Sequence, residues 1–194
     1  FESHYDRTKW AAHYEVAEPL VRQGLPLVIV QPGMIYGPGD TGPTRRTLVQ
    51  FLQGKLPLVP KGAAYCWAHV EDVAHGHVLA MEKGRAGECY HLAGPPASLE
   101  EALALAERLT GVKAPGTKAS PWMLRALASA VSPVAAVLPA DYQPEMLRVL
   151  AGATYLGTNE KAARELGWAP RALEPGLRET LHHEMRLLGM TPPS

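Results

Sequence analysis

Cysteine is nearly absent from this sequence. Cys66 and Cys89 are the two in 194 residues, and they form neither a disulfide framework nor a metal-ligand spacing, in keeping with a reducing cytoplasm. An excess of charge of either sign is absent too. Lysine plus arginine and aspartate plus glutamate stand at 19 each, so no overall field favours nucleic acid or an anionic lipid surface. No apolar run is long enough to span a membrane. The richest stretch, Ala119 to Ala140, is broken by Pro121, Arg125 and Pro133 and stays well short of about 20 residues, so it reads as buried or substrate-covering helix. No basic n-region with an apolar h-region opens the chain, so no signal peptide is expected; Phe1 in place of methionine reads as a start inside a longer or processed chain. Internal repeats and low-complexity tracts are missing as well. What remains is ordinary globular composition, 46% hydrophobic and 20% charged, with length enough for a substantial core.

The element pattern is α/β. Trp10, Tyr14, Ala17 and Val21 repeat at helical spacing over about 8–22, stopped by Gly24 and Pro26. Leu27 to Val30 is a short apolar run with β-branched residues, as in a strand buried on both faces of a parallel sheet. A Pro- and Gly-rich loop follows from Pro32 to Pro43, and Thr44 can cap a helix running to Gln53. Strands are expected over 65–70 and 89–92, and a helix over 71–83 with Glu71 and Asp72 at its start. Ser98 with Glu101 is a capping-box pattern for a helix over 99–109 that Gly111 stops. The rest is helical in pieces, about 121–131, 144–150, 159–166 and 175–188. Strands and helices alternate early and helices prevail late, but three strands make a small sheet for this much helix.

Tyr5 and Lys9 are four apart and share one face of a helix. An ammonium beside a phenol favours the phenolate. Bringing a phenol from its reference pKa near 10 toward 7 takes roughly 4 kcal/mol. Such a pair can deliver or remove a hydroxyl proton while hydride moves elsewhere. On its own the spacing is common by chance. Twenty-seven residues after Tyr5, however, Pro32-Gly33-Met34-Ile35-Tyr36-Gly37-Pro38-Gly39-Asp40 leaves the carboxyl end of the buried strand, where ligands of open α/β sheets bind.

Four motifs in this order resemble the extended short-chain dehydrogenase/reductases, a family that includes the NAD-dependent epimerase/dehydratases and the dihydroflavonol-reductase-like enzymes. They are Tyr5-x-x-x-Lys9, Val28 to Asp40, His69-Val70-Glu71-Asp72-Val73-Ala74, and Asn159 to Gly167 with Trp168, Pro170 and Arg171. The resemblance runs from residue 1 to about 188. It implies the C-terminal part of a Rossmann-like doubly wound parallel sheet plus a mostly helical substrate-binding lobe, divided as 1–95 and 96–194. It implies NAD or NADP as cofactor, with Tyr5 as general acid/base and Lys9 holding the nicotinamide ribose and lowering the Tyr5 pKa. Tyr5, Lys9, Pro32, Gly33, Met34 and Ile35 would line the nicotinamide end. The family's upstream Ser/Thr and its glycine-rich phosphate loop have no counterpart in these residues, so the isolated chain is expected to be inactive and to bind cofactor weakly or not at all. A homodimer through the tyrosine-bearing helix is a further expectation of the resemblance, favoured also by exposed sheet edge and apolar surface. A non-catalytic dinucleotide-binding or redox-sensing protein of the same fold, and a nucleotide-sugar epimerase, stand as alternatives.

Gly37-Pro38-Gly39-Asp40-Thr41-Gly42 spells a dinucleotide fingerprint but fails as one. Gly37 lies too far beyond its strand, Pro38 removes an amide donor, and no acidic residue ends a second strand about 20 positions on. Nucleotide-sugar enzymes of this family carry a phosphate-binding arginine about where Tyr65 stands. That tilts the substrate from a sugar nucleotide toward a less polar alcohol or ketone. Asp72 reads as a helix-start residue, His75 and His77 as surface or packing, and Trp67 and Trp168 as core or interface aromatics. His182-His183 lacks companion metal ligands.

Overall fold

The computed structural model describes residues 4–133, 144–152 and 154–193. Its centre is a fork. Strands β1 (Ile29–Pro32) and β5 (Cys89–Leu92) run parallel in register, Ile29 opposite Cys89 and Pro32 opposite Leu92. Beyond that point the two chains part at Gly33 and Gly94, and strand β4 (Ala64–His69) fills the opening. The second half of β4 pairs in parallel with β2 (Met34–Tyr36), and its first half pairs antiparallel with β6 (Pro96–Ser98). A short strand β8 (Thr154–Tyr155) pairs in parallel with Ala64 and Tyr65, while β3 (Val59–Pro60) pairs with β7 (Lys118–Ala119) apart from the fork.

Both fork positions need glycine because the backbones touch. A Cβ on Gly33 would lie 2.4 Å from the Cys66 carbonyl oxygen, and one on Gly94 would lie 1.8 Å from that of Trp67. Successive carbonyls of a strand point to opposite edges, so Gly33 and Gly94 abut opposite edges of β4. β2 and β8 therefore lie end to end along one edge, and β6 lines the other.

Among the described residues three cores surround this frame. Tyr36 and Trp67 pack with Phe51 of α3 (Pro43–Leu52), Leu103 of α5 (Leu99–Thr110) and Leu181 of α9 (Leu173–Leu187). Val73 and Leu79 of α4 (Val70–Lys83) pack with Tyr90, Leu92, Trp168 and Leu166 of α8 (Glu160–Leu166). A satellite core joins Leu124 and Ala128 of α6 (Pro121–Val131) to Leu147 of α7 (Pro144–Leu150). Among the described residues no helix is long and apolar enough to cross a membrane. Residues 134–140 of the apolar stretch lie outside the described residues.

Several local expectations hold. Ser98 and Glu101 form the complete capping box, and Gly111 closes α5 in the left-handed conformation at φ 73°. Others shift. The first helix is already formed over α1 (His4–Ala11), widens into a π-helical stretch (Ala12–Ala17) and resumes as α2 (Glu18–Arg22). The widening sits directly before Pro19, which cannot donate to the Glu15 carbonyl and whose ring would crowd it. The cap of α3 is Gly42 rather than Thr44, with Asp40 reaching in to accept from the Gly42 and Arg45 amides at 2.6 and 2.9 Å. The expected loop after Pro32 contains β2, and β3, β6, β7 and β8 are additional strands of two or three residues each.

Candidate active site

The structure brings Tyr5 and Lys9 together. Both are exposed on α1, and the Lys9 ammonium lies 5.3 Å from the centre of the Tyr5 ring. The stripe continues one turn on to His13, whose Nδ1 is 3.4 Å from Nε2 of Gln31, the residue before Pro32. The helix face bearing the pair is thus fastened at the carboxyl end of β1. α1 is also held to α7 and to β8. The His4 amide donates to Glu145 at 2.7 Å, and the Tyr155 hydroxyl meets the Asp6 carboxylate at 3.4 Å.

The loop residues divide. Pro32 and Ile35 are exposed and open to a ligand. Gly33 donates its amide to Leu92 at 3.1 Å and abuts β4, and Met34 packs against the core opposite Trp67. Their residue types therefore have a packing cause that stands beside any cofactor contact. An open cavity of about 340 Å³ sits at the carboxyl end of β5, lined by Ala93, Gly94, Pro95, Gly157, Thr158 and Asn159. Neither Tyr5 nor Lys9 lines it.

Residues 2–93, which hold the tyrosine–lysine helix, the fork strands and the His69 motif, match the model of the NAD dependent epimerase/dehydratase family. Through these residues, just under half of the chain, the sequence is similar to that family. The chain is 30% identical over 172 residues to sterol demethylase protein B of Methylococcus capsulatus, covering 86% of this chain and 52% of that protein. It is 29% identical over 186 residues to a Synechocystis protein provisionally named dihydroflavonol 4-reductase, covering 92% and 53%. A crystal structure of a nucleoside-diphosphate-sugar epimerase from Pseudomonas aeruginosa superposes with a TM-score of 0.76 at 30% identity, covering 97% of this chain and 57% of that one. The chain spans about half the length of the curated relatives it matches. The family is one of NAD-dependent enzymes, and the mixed α/β fold with its parallel strands is Rossmann-like.

Within this epimerase/dehydratase frame the His69 motif is structural. His69 is buried, caps α4 by accepting from the Glu71 amide at 3.4 Å, and lies edge-on to the buried Tyr36 ring at 5.4 Å. Burial, reinforced by the Arg171 guanidinium, holds the His69 pKa below its ordinary value, and burial pushes the Tyr36 phenol far up. Asp72 is more than a helix-start residue. Its carboxylate takes the Arg171 amide at 2.9 Å and the guanidinium at 3.0 Å, and its carbonyl accepts from the Trp168 indole at 2.7 Å. The conjunction of the third and fourth sequence motifs is therefore a clamp from α4 to the chain's closing segment. His69, Glu71 and Glu179 also group as a metal site would. Arg171, however, already bonds the Glu71 and Glu179 carboxylates at 2.8 and 2.9 Å, so the charge is met by a guanidinium. The Gly37–Gly42 fingerprint fails for a visible reason: the Asp40 carboxylate occupies the α3 amides that a phosphate would need. His75 and His77 lie on the surface, and Trp67 and Trp168 are fully buried in the core.

Sequence reasoning missed Asp6, Tyr155 and Arg171 as connecting residues. Arg171 had a signal, since it closes the fourth motif. Tyr155 had none, because a two-residue strand leaves no periodicity.

Proposed function

We propose that this chain carries the proton-transfer and nicotinamide-side residues of an NAD(P)-dependent oxidoreductase that interconverts a hydroxyl and a carbonyl on a phosphate-free ring substrate. The observation that carries it is the Lys9 ammonium over Tyr5, both exposed on a helix fastened at the carboxyl end of β1. Among the described residues Lys9 forms no ion pair, so its donors are open to a polar ligand, which fits a cofactor ribose. Lys9, with Pro32 and Ile35 opposite and Gly33 and Met34 between them, would hold the nicotinamide end. The bound cofactor supplies hydride acceptance or donation. Tyr5 takes or returns the hydroxyl proton, and Lys9 stabilises the phenolate while that proton is away.

The two curated relatives are named for sterols and dihydroflavonols, which are ring alcohols or ketones without phosphate. Tyr65, where a phosphate-binding arginine would stand in the sugar-nucleotide enzymes, supports the same class. The similarity to a nucleoside-diphosphate-sugar epimerase favours the second reading, transient oxidation of a sugar nucleotide. Trp10, Tyr14 and Leu20 are exposed along the first helix, which supports a homodimer formed through it.

The test compares turnover with cofactor affinity. Tyr5→Phe in the assembled enzyme is expected to lower kcat by about 10²- to 10⁴-fold while the NAD(P)H dissociation constant stays within about twofold. Full activity in that variant removes Tyr5 from the mechanism.

A further inference from the structure

Two independent connections lead from Tyr155 to the candidate active site. The first runs through α1, where the Tyr155 hydroxyl meets the carboxylate of Asp6, the neighbour of Tyr5. The second runs through β4. β8 and β2 lie end to end along one edge of that strand, and both neighbours of the junction converge on Cys66: Gly33 packs on its carbonyl, and Gly157 bonds its thiol through N–H and C=O at 3.3 and 3.4 Å. Tyr155 stands two residues before Gly157 and directly opposite Tyr65. The two phenol rings stack, with centres 6.2 Å apart and planes within 10°. The rear ring, Tyr65, is half-buried, while Tyr155 keeps 45% of its surface open and Leu156 beside it 57%.

We infer that the Tyr65–Tyr155 stack is the specificity wall of the site, reading the flat apolar ring system of a phosphate-free substrate whose hydroxyl faces Tyr5. The inference rests on the oxidoreductase reading above and names the surface that selects its substrate. A pre-stacked aromatic pair offers a broad π face at little cost in side-chain freedom. It offers no bidentate donor for a diphosphate. The tether also ties Tyr155 to α1, the helix that carries Tyr5. Further apolar surface lies nearby: a Cβ on Gly152 would sit 3.1 Å from Pro121 at the start of α6, whose exposed side carries Trp122 and Leu127.

The experiment is equilibrium binding to the full chain without cofactor or turnover, so it stands or falls separately from the Tyr5→Phe assay. The probes are dihydroquercetin, a soluble 3-hydroxysteroid and UDP-glucose, measured by calorimetry and by NMR of the tyrosine rings. At least one ring compound is expected to bind tenfold or more tighter than UDP-glucose, and to shift the Tyr65 and Tyr155 ring signals. Tyr155→Ala should weaken that binding tenfold, and Tyr155→Phe, which keeps the ring, should stay within threefold. Binding of UDP-glucose as tight as the ring compounds, no binding of either ring compound, or ring shifts confined to other tyrosines would each overturn the inference. The NMR shifts decide it in the native protein even if Tyr155→Ala folds poorly.

Discussion

Gly94→Ala tests the fork that positions the candidate site. The added methyl would fall 1.8 Å from the Trp67 carbonyl oxygen, 2.5 Å from its carbon and 3.0 Å from the Ala68 Cα. All three are backbone atoms of a buried strand, so no side chain can swing aside. Relative to ordinary contact the shortfall is about 1.6 Å, and β4 and the β5–β6 chain must separate by roughly that much. Separation breaks the Trp67 amide bond to Pro95 at 3.0 Å and strains the Gly33 amide bond to Leu92 at 3.1 Å. Two hydrogen bonds at about 1 kcal/mol each, with about 1–3 kcal/mol of overpacking, make a loss of about 3–5 kcal/mol. For a chain of this length that lowers Tm by roughly 6–20 °C. Urea and thermal unfolding, followed by circular dichroism, measure it. Gly116→Ala, at an exposed position with open space around the added methyl, is the control and should stay within about 0.5 kcal/mol. A Gly94→Ala protein melting within 2 °C of wild type would refute the fork as the cause of glycine here.

Gly33→Ala meets the Cys66 carbonyl oxygen at 2.4 Å and should cost about 1–3 kcal/mol in the same melts, whether or not cofactor is present. His69 is neutral and buried with a depressed pKa, so below about pH 6.5 the unfolded chain takes up a proton that the folded one resists. Stability from this group is complete above that pH and is lost as pH falls toward the folded pKa, with a slope of up to about 1.4 kcal/mol per pH unit. Arg171 opposes protonation, while Glu179, Asp72 and Glu71 favour it. His69→Asn, which retains a capping residue type, should flatten urea-derived stability between pH 6.5 and 5; an unchanged slope would show that His69 is not the titrating group. Asp72→Ala strands the Arg171 amide and removes the guanidinium's central partner. About 2–4 kcal/mol should be lost in urea titrations, and a loss under 0.5 kcal/mol would mean the clamp is not stabilising.

Elements with a strong local cause were legible. Ser98 and Glu101 are three apart, Gly111 can adopt the left-handed turn, and helix α8 ends on Gly167 in the same way; each follows from side chain and backbone chemistry within one turn. Tyr5 and Lys9 were legible as a pair because four residues make one helical turn. The strands β2, β3, β6, β7 and β8 were not. Two or three residues carry no alternation, and Pro60 and Pro96 speak against strand. β2, β6 and β8 exist because β4 offers two open edges once the β1 and β5 chains diverge, while β3 and β7 pair with each other.

By themselves, then, the residues determined both ends of α5, the stop of α8, the Tyr5–Lys9 stripe and the motif order that resembles the family, since each depends on neighbours within a few positions. Only the tertiary structure decided why Gly33 and Gly94 are glycines, why Asp72 holds Arg171 across 99 residues, and that Tyr155 stands between Tyr65 and Asp6. Those contacts join segments far apart in sequence, and what selects them is the close approach of backbones around β4, a distance that no local pattern records.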